Sequence, residues 1–476
     1  MTTTRPTIKT LGELRESGHR LRGVKAEIRD NLLARLAAGE SSLPGIVGFD
    51  ETVIPEVERA LLAGHDIVLL GERGQGKTRL IRTISGLLDE WTPVITGSEI
   101  NDHPYAPVSV WGQRIVAEHG PDTPVSWKHR DERYGEKLAT PDTSVGDLIG
   151  DVDPIKVAEG RTLGDPETVH YGLLPRTNRG IFSVNELPDL AERIQVALLN
   201  VLEERDIQVR GYLLRMPLDV LLIASANPED YTNRGRIITP LKDRFGAEVR
   251  THYPIELTDE LDLIRQEAVL RWSGGLQAEP IVADHLFDII ARYTRAVREA
   301  PQVDQRSGVS ARFAIAAVET VAASAVRRAA VTGEPTPVAR ICDLPAVIPA
   351  SRGKVEFDDA DHDSSGRELE ILAHLLRQAT AASFRAHLAG VDLSALQRLF
   401  EEGATVETGD LVPADELLRQ VGPFTGLAAI LDRLGIAEGV ENPGLAASAL
   451  EFALEGLHLS RRLAKDEVPG HAVYGA

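Results

Sequence analysis

The 476-residue sequence contains one cysteine, Cys342, so a disulfide bond within the chain is excluded. This scarcity favours a reducing compartment, and we predict a cytoplasmic location. No run of about 18 apolar residues occurs, which argues against a membrane-spanning helix. Residues 1–8 are polar and lack the apolar centre of a signal peptide, so we expect no secretion signal.

Basic runs and two catalytic signatures are also missing. The chain has 52 basic and 72 acidic residues, and its net charge of -20 disfavours binding to a phosphate backbone. We therefore do not expect a nucleic-acid partner. The sequence has no His-Glu-x-x-His zinc motif and no Gly-x-Ser-x-Gly nucleophile elbow. A zinc enzyme or a serine hydrolase thus has no support.

Length and patterning predict several domains, because 476 residues exceed what one hydrophobic core usually organises. Residues 1–45 include apolar positions at helical spacing and are predicted to form an N-terminal helical segment. Over residues 46–253, short apolar strands alternate with helices, which is typical of an α/β core with a mainly parallel sheet. Amphipathic helices follow, and we divide them into a helical lid, residues 254–340, and a C-terminal helical region, residues 341–476.

A phosphate-binding loop is predicted at Gly71-Glu72-Arg73-Gly74-Gln75-Gly76-Lys77-Thr78. An apolar strand precedes this loop and a helix follows it, so backbone N–H groups and a helix N-terminus would point at the phosphates of ATP. The glycines let the backbone approach the ligand closely. Lys77 is predicted to bind the β- and γ-phosphates, and the hydroxyl of Thr78 is predicted to bind Mg²⁺.

A second apolar strand, residues 181–184, ends in Asn185 and Glu186. In P-loop ATPases such a strand usually ends in Asp-Glu; the Asp orients water around Mg²⁺ and the Glu polarises the attacking water. Asn185 offers one acceptor oxygen but no charge, so we assign it to the cofactor and metal site and expect weaker binding of Mg²⁺. Glu186 remains able to activate water and is a predicted catalytic residue.

A third apolar strand, residues 220–224, leads into Asn227. Ligands bind at the carboxyl ends of the strands in open α/β sheets. An amide at this position can hold both the γ-phosphate and the attacking water. Asn227 is therefore a predicted catalytic residue.

From about residue 46 to residue 332 the chain resembles the AAA+ ATPases of the magnesium-chelatase I-subunit and MoxR group. Residues 172–180 contain an Arg-x-Asn-Arg-Gly segment that is similar to one in chelatase I subunits, and it precedes the same strand. Residues 241–246, Leu-Lys-Asp-Arg-Phe-Gly, are similar to their Leu-Leu-Asp-Arg-Phe-Gly. Residues 205–212 stand where that group has a hairpin. The Gly-Ala-Phe-Thr-Gly-Ala loop of activators of the alternative sigma factor is missing, which disfavours that function.

The resemblance implies a homo-oligomeric ring, expected to be a hexamer, with ATP bound between subunits. By position, Arg244 would be the arginine finger and Arg312 the sensor-2 arginine of the lid. A planar cation at either place stabilises charge on the transferring phosphoryl oxygens. The resemblance further implies an insertion within residues 147–178 that faces the ring pore. It also implies a protein client, in this group often one with a von Willebrand factor A-type domain.

Three functions are compatible with these motifs. We favour an ATPase that forms a ring and uses ATP and Mg²⁺ to remodel or activate a partner protein. Asn185 motivates a second hypothesis, a nucleotide-gated assembly scaffold with little or no hydrolysis. The third is the ATPase subunit of a metal chelatase. One fold serves many tasks, so the resemblance does not choose among the three.

Overall fold

The computed structural model of the chain describes residues 4–153, 155, 158, 168–204, 207–209, 212–214, 216–228, 236–271, 278–304, 308–357, 364–422, 426–436 and 442–475. By internal packing the chain divides into two compact units, Met1–His252 and Tyr253–Ala476. Each unit has its own buried apolar core. The finer borders that we predict at residues 45 and 340 stay predictions.

The first unit combines helices and strands along its whole length. Its helices are α1 (Leu11–Glu16), α2 (Val24–Ala38), α3 (Val53–Ala63), α4 (Lys77–Ile84), α5 (Val110–His119), α6 (Val145–Leu148), α7 (Leu173–Arg176), α8 (Glu192–Glu204) and α9 (Thr239–Arg244). Its strands are β1 (Ile67–Leu70), β2 (Trp91–Ile95), β3 (Val125–His129), β4 (Tyr134–Leu138), β5 (Gly150–Val152), β6 (Val169–Tyr171), β7 (Gly180–Asn185), β8 (Ile207–Val209), β9 (Tyr212–Leu214), β10 (Val220–Ala226) and β11 (Ala247–Arg250).

Five of these strands form a parallel sheet in the order β11-β1-β10-β7-β4. The three inner strands β1, β10 and β7 are buried along their whole length. This explains their continuous apolar sequences, because a parallel sheet has both of its faces covered. The three strands predicted from those sequences are the three inner strands of the sheet.

Side chains alternate between the two faces of the sheet and so build two apolar layers. The layer that contains α4 includes Ile67, Leu69, Leu80, Ile81, Ile84, Ile181, Leu221 and Ile223. The opposite layer contains α8 and includes Val68, Phe182, Val184, Ile194, Leu198, Leu222 and Ala224. The sheet thus lies between two helical layers, as predicted for the α/β core.

The register of the sheet brings the ends of its inner strands together. Leu70 pairs with Ala226 between β1 and β10, and Ala224 pairs with Val184 between β10 and β7. The residues that follow these positions therefore share one edge of the sheet. This edge holds the phosphate-binding loop, Asn227 and the Asn185-Glu186 pair.

The N-terminal segment is joined to the sheet layer by a buried ion pair. Arg133 Nη1 and Nη2 donate to Glu27 Oε1 and Oε2 at 2.7 and 2.8 Å. Both side chains are almost fully buried. Arg133 Nε also donates to the backbone carbonyl of Arg179 at 2.8 Å. Helix α2, which carries Glu27, is thereby fixed to the segment just before β7.

Two features predicted by resemblance fall partly outside the described residues. Strands β8 and β9 pair antiparallel, as a hairpin near residues 205–212 requires, although 205–206 and 210–211 lie outside the described residues. In the expected pore insertion, β5 and β6 pair antiparallel. Residues 154, 156–157 and 159–167 of that insertion lie outside the described part of the chain.

The second unit is mainly helical. Its helices are α10 (Leu257–Glu267), α11 (Asp284–Glu299), α12 (Ala311–Thr332), α13 (Val347–Ser351), α14 (Ser364–Leu388), α15 (Ser394–Glu401), α16 (Ala414–Val421), α17 (Leu427–Arg433) and α18 (Pro443–Leu459). In the described residues of both units, no helix has the length and apolar character needed to cross a membrane. The parallel core and the helical second unit confirm the predicted fold class.

A small sheet in the second unit was not predicted. Strands β12 (Val406–Gly409), β13 (Ala464–Val468) and β14 (His471–Gly475) form an antiparallel sheet in the order β12-β14-β13. The sequence analysis predicts a helical region over residues 341–476, whereas the last helix, α18, ends at Leu459. That prediction was wrong at its end, because residues 464–468 pair with β14 through their backbone and their side chains show no apolar alternation.

Candidate nucleotide-binding site

The phosphate-binding loop turns sharply between β1 and α4. Gly74 and Gly76 have φ angles of 75° and 74°, a backbone conformation that favours glycine. A Cβ atom at Gly71 would collide with Thr251 Oγ1 and with Gln75 Oε1. Glycine at these positions leaves a narrow concave backbone, which is the kind of cradle that phosphate groups occupy.

Gln75 braces this loop from inside. Its Oε1 atom accepts hydrogen bonds from the backbone N–H of Glu72 at 3.0 Å and from Thr251 Oγ1 at 2.8 Å. Gln75 is buried, and Thr251 follows strand β11 directly. The loop is therefore fixed to its neighbouring strand. The sequence placed Gln75 in the loop, but it gave no sign that Thr251 takes part.

Lys77 is buried at the start of α4, and its ammonium group joins the loop to the end of β10. Lys77 Nζ donates to the carbonyl oxygens of Gly71 and Glu72, the latter at 2.9 Å. It also donates to Asn227 Oδ1 at 2.7 Å. These contacts hold the charge of Lys77 at the point where the loop and the end of β10 converge.

Asn227 connects Lys77 with Glu186. Its Nδ2 atom donates to Glu186 Oε2 at 2.7 Å, while its Oδ1 atom accepts from Lys77. The amide therefore presents its donor to a carboxylate and its acceptor to a cation, which fits the chemistry of each end. The structure thus brings three predicted site residues into one hydrogen-bonded chain.

Glu186 has an unusual backbone conformation for a residue other than glycine. Its φ and ψ angles are 55° and 49°, in the left-handed region. Its backbone N–H donates to Ser225 Oγ at 3.4 Å. Such a conformation costs on the order of 1–3 kcal/mol and occurs mainly at functional sites. Here it turns the half-buried carboxylate away from the line of β7 toward Asn227.

Asn185 is buried at the end of β7, and both ends of its amide have protein partners. Its Oδ1 atom accepts from Ser225 Oγ at 3.2 Å, and its Nδ2 atom donates to Glu136 Oε1 at 2.6 Å. Sequence reasoning missed Glu136 and Ser225. Both are polar residues in strands beside β7, and only the strand order places them there.

The second oxygen of the Glu136 carboxylate has two further donors. Arg82 Nε donates to Oε2 at 3.0 Å, and the hydroxyl of Tyr134 donates to the same oxygen at 3.1 Å. Burial, reinforced by the charge of Glu136, raises the pKa of Tyr134 to about 12. The Tyr134 hydroxyl is consequently protonated at neutral pH and serves as a donor.

The two predicted arginines, Arg244 and Arg312, are exposed. Arg244 ends α9, and its Nη2 atom pairs with Glu203 Oε1 at 2.6 Å. Arg312 lies in the first turn of α12 in the second unit. Their roles stay predictions.

The residues that are present fit ATP with Mg²⁺. The glycine cradle and Lys77 suit the phosphates, and Thr78 places a half-buried hydroxyl next to Lys77. Within the described residues, no cluster of three or more metal-binding His, Cys, Asp or Glu side chains occurs. Mg²⁺ that arrives with a nucleotide needs only one or two protein oxygens, because phosphates and water complete its ligands.

A cavity of about 370 Å³ opens beside the loop. It lies between the loop, the start of the segment after Asn227, α9 and β11. Its lining residues are Leu70, Gly71, Glu72, Gln75, Pro228, Lys242, Glu248, Arg250 and Thr251. The phosphate-binding loop therefore forms one wall of a concave site, as ligand-binding loops usually do.

The fold is thus an α/β P-loop core of the AAA+ type, followed by a mainly helical unit. The chain is 27% identical over 210 residues to the magnesium-chelatase subunit ChlI of Anabaena variabilis, covering 42% of this chain and 57% of that protein. It is 29% identical over 195 residues to the magnesium-chelatase subunit ChlI of Guillardia theta, covering 39% of this chain and 50% of that protein. The predicted resemblance to the magnesium-chelatase I subunits is thereby confirmed. The chain spans about half the length of the curated relatives it matches.

Two further comparisons cover other shares of the chain. The sequence pattern of the sigma-54 interaction domain matches residues 161–244, less than half of the chain. A solved structure described as a complex between subunits BchI and BchD of magnesium chelatase is 22% identical, with a TM-score of 0.35. The match covers 66% of this chain and 95% of the chain in that structure.

Proposed function

We propose that this chain is a cytoplasmic, magnesium-dependent ATPase that forms a homo-oligomeric ring and remodels or activates a partner protein. The observation that carries the proposal is the hydrogen-bonded chain from Lys77 through Asn227 to Glu186. It combines a phosphate-binding cation, an amide and a carboxylate at the carboxyl edge of a parallel sheet. These are the groups that phosphoryl transfer from ATP to water requires.

Binding of ATP changes the partners of Lys77. Backbone N–H groups of residues 71–78 and the N-terminus of α4 bind the phosphate oxygens. These oxygens are better acceptors for an ammonium group than the carbonyl oxygens of Gly71 and Glu72, because they carry charge. Mg²⁺ neutralises phosphate charge when it is bound, and Thr78 with the group around Asn185 would hold it.

Glu186 is the general base in this proposal. Its carboxylate takes a proton from the attacking water, whose oxygen bonds to the γ-phosphorus as the bond to ADP breaks. Asn227 holds the carboxylate in place while its other end faces Lys77. A shift of Lys77 toward the γ-phosphate therefore affects the position of Glu186 through the amide of Asn227.

A ring would complete the site with residues from a neighbouring subunit. Arg244 is exposed and therefore accessible to a second copy of the chain, where it would act as an arginine finger. Arg312 would contact the nucleotide from the lid as the sensor-2 residue. The resemblance to subunits of a larger enzyme supports action with partners. We propose a hexamer and a protein client, with a von Willebrand factor A-type domain as the first kind to test.

Asn185 supports the second candidate function, a scaffold that assembles on ATP and hardly hydrolyses it. The residue has no charge, and both ends of its amide contact other side chains. The names of the curated relatives support the third candidate, the ATPase subunit of a metal chelatase. The ATPase motor remains the favoured function because Glu186 is present and its carboxylate accepts a hydrogen bond from Asn227.

Steady-state phosphate release with Mg²⁺ tests the choice between motor and scaffold. The wild type is compared with Glu186→Gln, Asn185→Asp and, as a matched surface control, Glu192→Gln, while assembly with ATP is followed by light scattering. The motor predicts turnover that falls about 100-fold or more in Glu186→Gln only. Assembly without turnover in the wild type, but with turnover in Asn185→Asp, would establish the scaffold instead.

A further inference from the structure

A carboxylate lies directly beside the uncharged residue of the site. Glu136 is on the edge strand β4, where it pairs in register with Ser183 of β7. Asn185 is two residues further along β7, so its side chain lies on the same face of the sheet as that of Ser183. Glu136 Oε1 accepts a hydrogen bond from Asn185 Nδ2 at 2.6 Å. The charge missing at position 185 is thus present one hydrogen bond away.

The same carboxylate also contacts the helix that follows the phosphate-binding loop. Arg82 of α4 binds Glu136 Oε2 through Nε at 3.0 Å and through Nη2 at 2.9 Å. Thr78 precedes Arg82 by four residues and lies on the same face of α4. Glu136 therefore lies between the end of β7 and the side of α4 that carries Thr78. In P-loop ATPases, Mg²⁺ is held between these two places.

The ion pair with Arg82 does not account well for a carboxylate at this position. The side chain of Arg82 is 63% exposed and that of Glu136 is 22% exposed. Exposed ion pairs contribute little to stability, about 0–1 kcal/mol. A half-buried carboxylate that also accepts a hydrogen bond from a buried asparagine is better placed to act on a cation in the site.

We propose that Glu136 supplies the negative charge for the magnesium ion of the bound nucleotide that Asn185 lacks, with Asn185 acting as the donor that orients it. This inference rests on the proposed function, since it concerns the ion that accompanies ATP. Because the charge is displaced and not lost, the asparagine need not prevent hydrolysis. Arg82 competes with the ion for the same carboxylate.

Binding of ATP, measured by calorimetry with Mg²⁺ and again with EDTA, tests the proposal without any need for turnover. The Mg²⁺-dependent gain in affinity is expected to fall about 10- to 100-fold in Glu136→Gln. Affinity in EDTA should not fall, because without the ion the Glu136 carboxylate does not attract the phosphates. Glu136→Gln combined with Asn185→Asp should recover most of the gain. Paramagnetic resonance can measure the amount of Mn²⁺ bound to the protein together with ATP. This amount should rank the variants in the same order as the Mg²⁺-dependent gain in affinity.

Arg82→Gln separates this role from a merely structural ion pair. If Glu136 only pairs with Arg82, Glu136→Gln and Arg82→Gln should change the Mg²⁺-dependent gain in ATP affinity in the same direction. The proposal predicts opposite directions, with a larger Mg²⁺-dependent gain in Arg82→Gln because a competing cation is removed. Glu118→Gln, which alters a similar ion pair on the exposed side of α5, serves as the control.

Two results would overturn the inference. One is an unchanged Mg²⁺-dependent gain in Glu136→Gln, and the other is an equal loss of affinity with Mg²⁺ and with EDTA. A wild type that binds no ATP in either condition would instead contradict the proposed function. The two failures are thus distinguishable in one set of titrations.

Discussion

Asn227 donates a hydrogen bond of 2.7 Å to the carboxylate of Glu186, although the two residues directly follow different strands of the sheet. The same amide accepts from Lys77. Lys77, which we propose binds phosphate, and Glu186, which we propose activates water, therefore share one side chain between them. Residues linked in this way act as a unit, and their contributions to catalysis are not additive.

Asn227→Ala should lower the rate of ATP hydrolysis about 10- to 100-fold, since Glu186 loses the donor that holds it. ATP affinity should change little, because Lys77 keeps its other contacts. In the double variant Asn227→Ala with Glu186→Gln, the rate should be close to that of Glu186→Gln alone. Steady-state phosphate release across the four proteins measures this coupling. Strictly multiplicative losses would show that the two residues act independently.

The brace between Thr251 and Gln75 should contribute to nucleotide affinity. Thr251→Val removes a hydrogen bond to Gln75 Oε1 while preserving the shape of the side chain. A net hydrogen bond is worth about 0.5–1.5 kcal/mol, so ATP affinity should fall about 2- to 10-fold as the loop becomes less ordered. Thr239→Val at the exposed start of α9 is the control. Equal affinities in titrations of all three proteins would mean that the loop needs no brace.

The buried pair of Glu27 and Arg133 should dominate the stability of the first unit. Glu27→Gln leaves the Arg133 charge buried without its counter-charge, which typically costs about 3–5 kcal/mol. The double variant Glu27→Met with Arg133→Met should lose less, because no charge stays buried. Denaturant unfolding followed by tryptophan fluorescence is suited to this test, since Trp91, Trp111 and Trp127 lie in this unit.

Asp30→Asn on the same helix provides the matched control for that pair. Asp30 pairs with Arg22 at 2.9 Å, but its side chain is 53% exposed. Its loss should change the unfolding free energy by about 0–1 kcal/mol. A loss of equal size in both single variants would contradict the importance given to burial.

Local sequence signals predicted the central part of the candidate site. The glycine pattern fixes the loop, and three apolar strands followed by polar residues place Lys77, Glu186 and Asn227 at one edge of the sheet. These predictions required only that the strands be parallel neighbours, because parallel strands end on the same side. The register confirms that requirement.

Other residues of the site depend on strand order, which local sequence does not contain. Glu136 meets Asn185 only because β4 pairs with β7, and Thr251 meets Gln75 only because β11 pairs with β1. The small C-terminal sheet was not predicted, for a related reason. Residues 464–468, Ala-Lys-Asp-Glu-Val, carry little apolar pattern, so their pairing with β14 becomes visible only in three dimensions.

His103 should make the first unit sensitive to acid. Burial, together with the charges of Arg179 and His19, lowers the pKa of His103 from 6.5 to about 2. Its Nδ1 atom accepts from the backbone N–H of Tyr105 at 2.9 Å, and its Nε2 atom lies 3.2 Å from His19 Nε2. The folded protein therefore holds a neutral imidazole, whereas the unfolded chain binds a proton below pH 6.5.

The sign of the pH dependence follows from this difference. Between about pH 2 and pH 6.5 the unfolded state binds more protons at His103, so the free energy of unfolding rises with pH. Above about pH 6.5 the contribution of His103 no longer changes. As the pH falls below that value, His103 should lower the free energy of unfolding by about 1.4 kcal/mol per pH unit. His103→Asn keeps an acceptor for the N–H of Tyr105 but cannot be protonated, so its unfolding free energy should fall less steeply between pH 6.5 and pH 5. His119→Asn, at an exposed histidine, should retain the wild-type slope, and equal slopes in all three proteins would show that His103 titrates alike in both states.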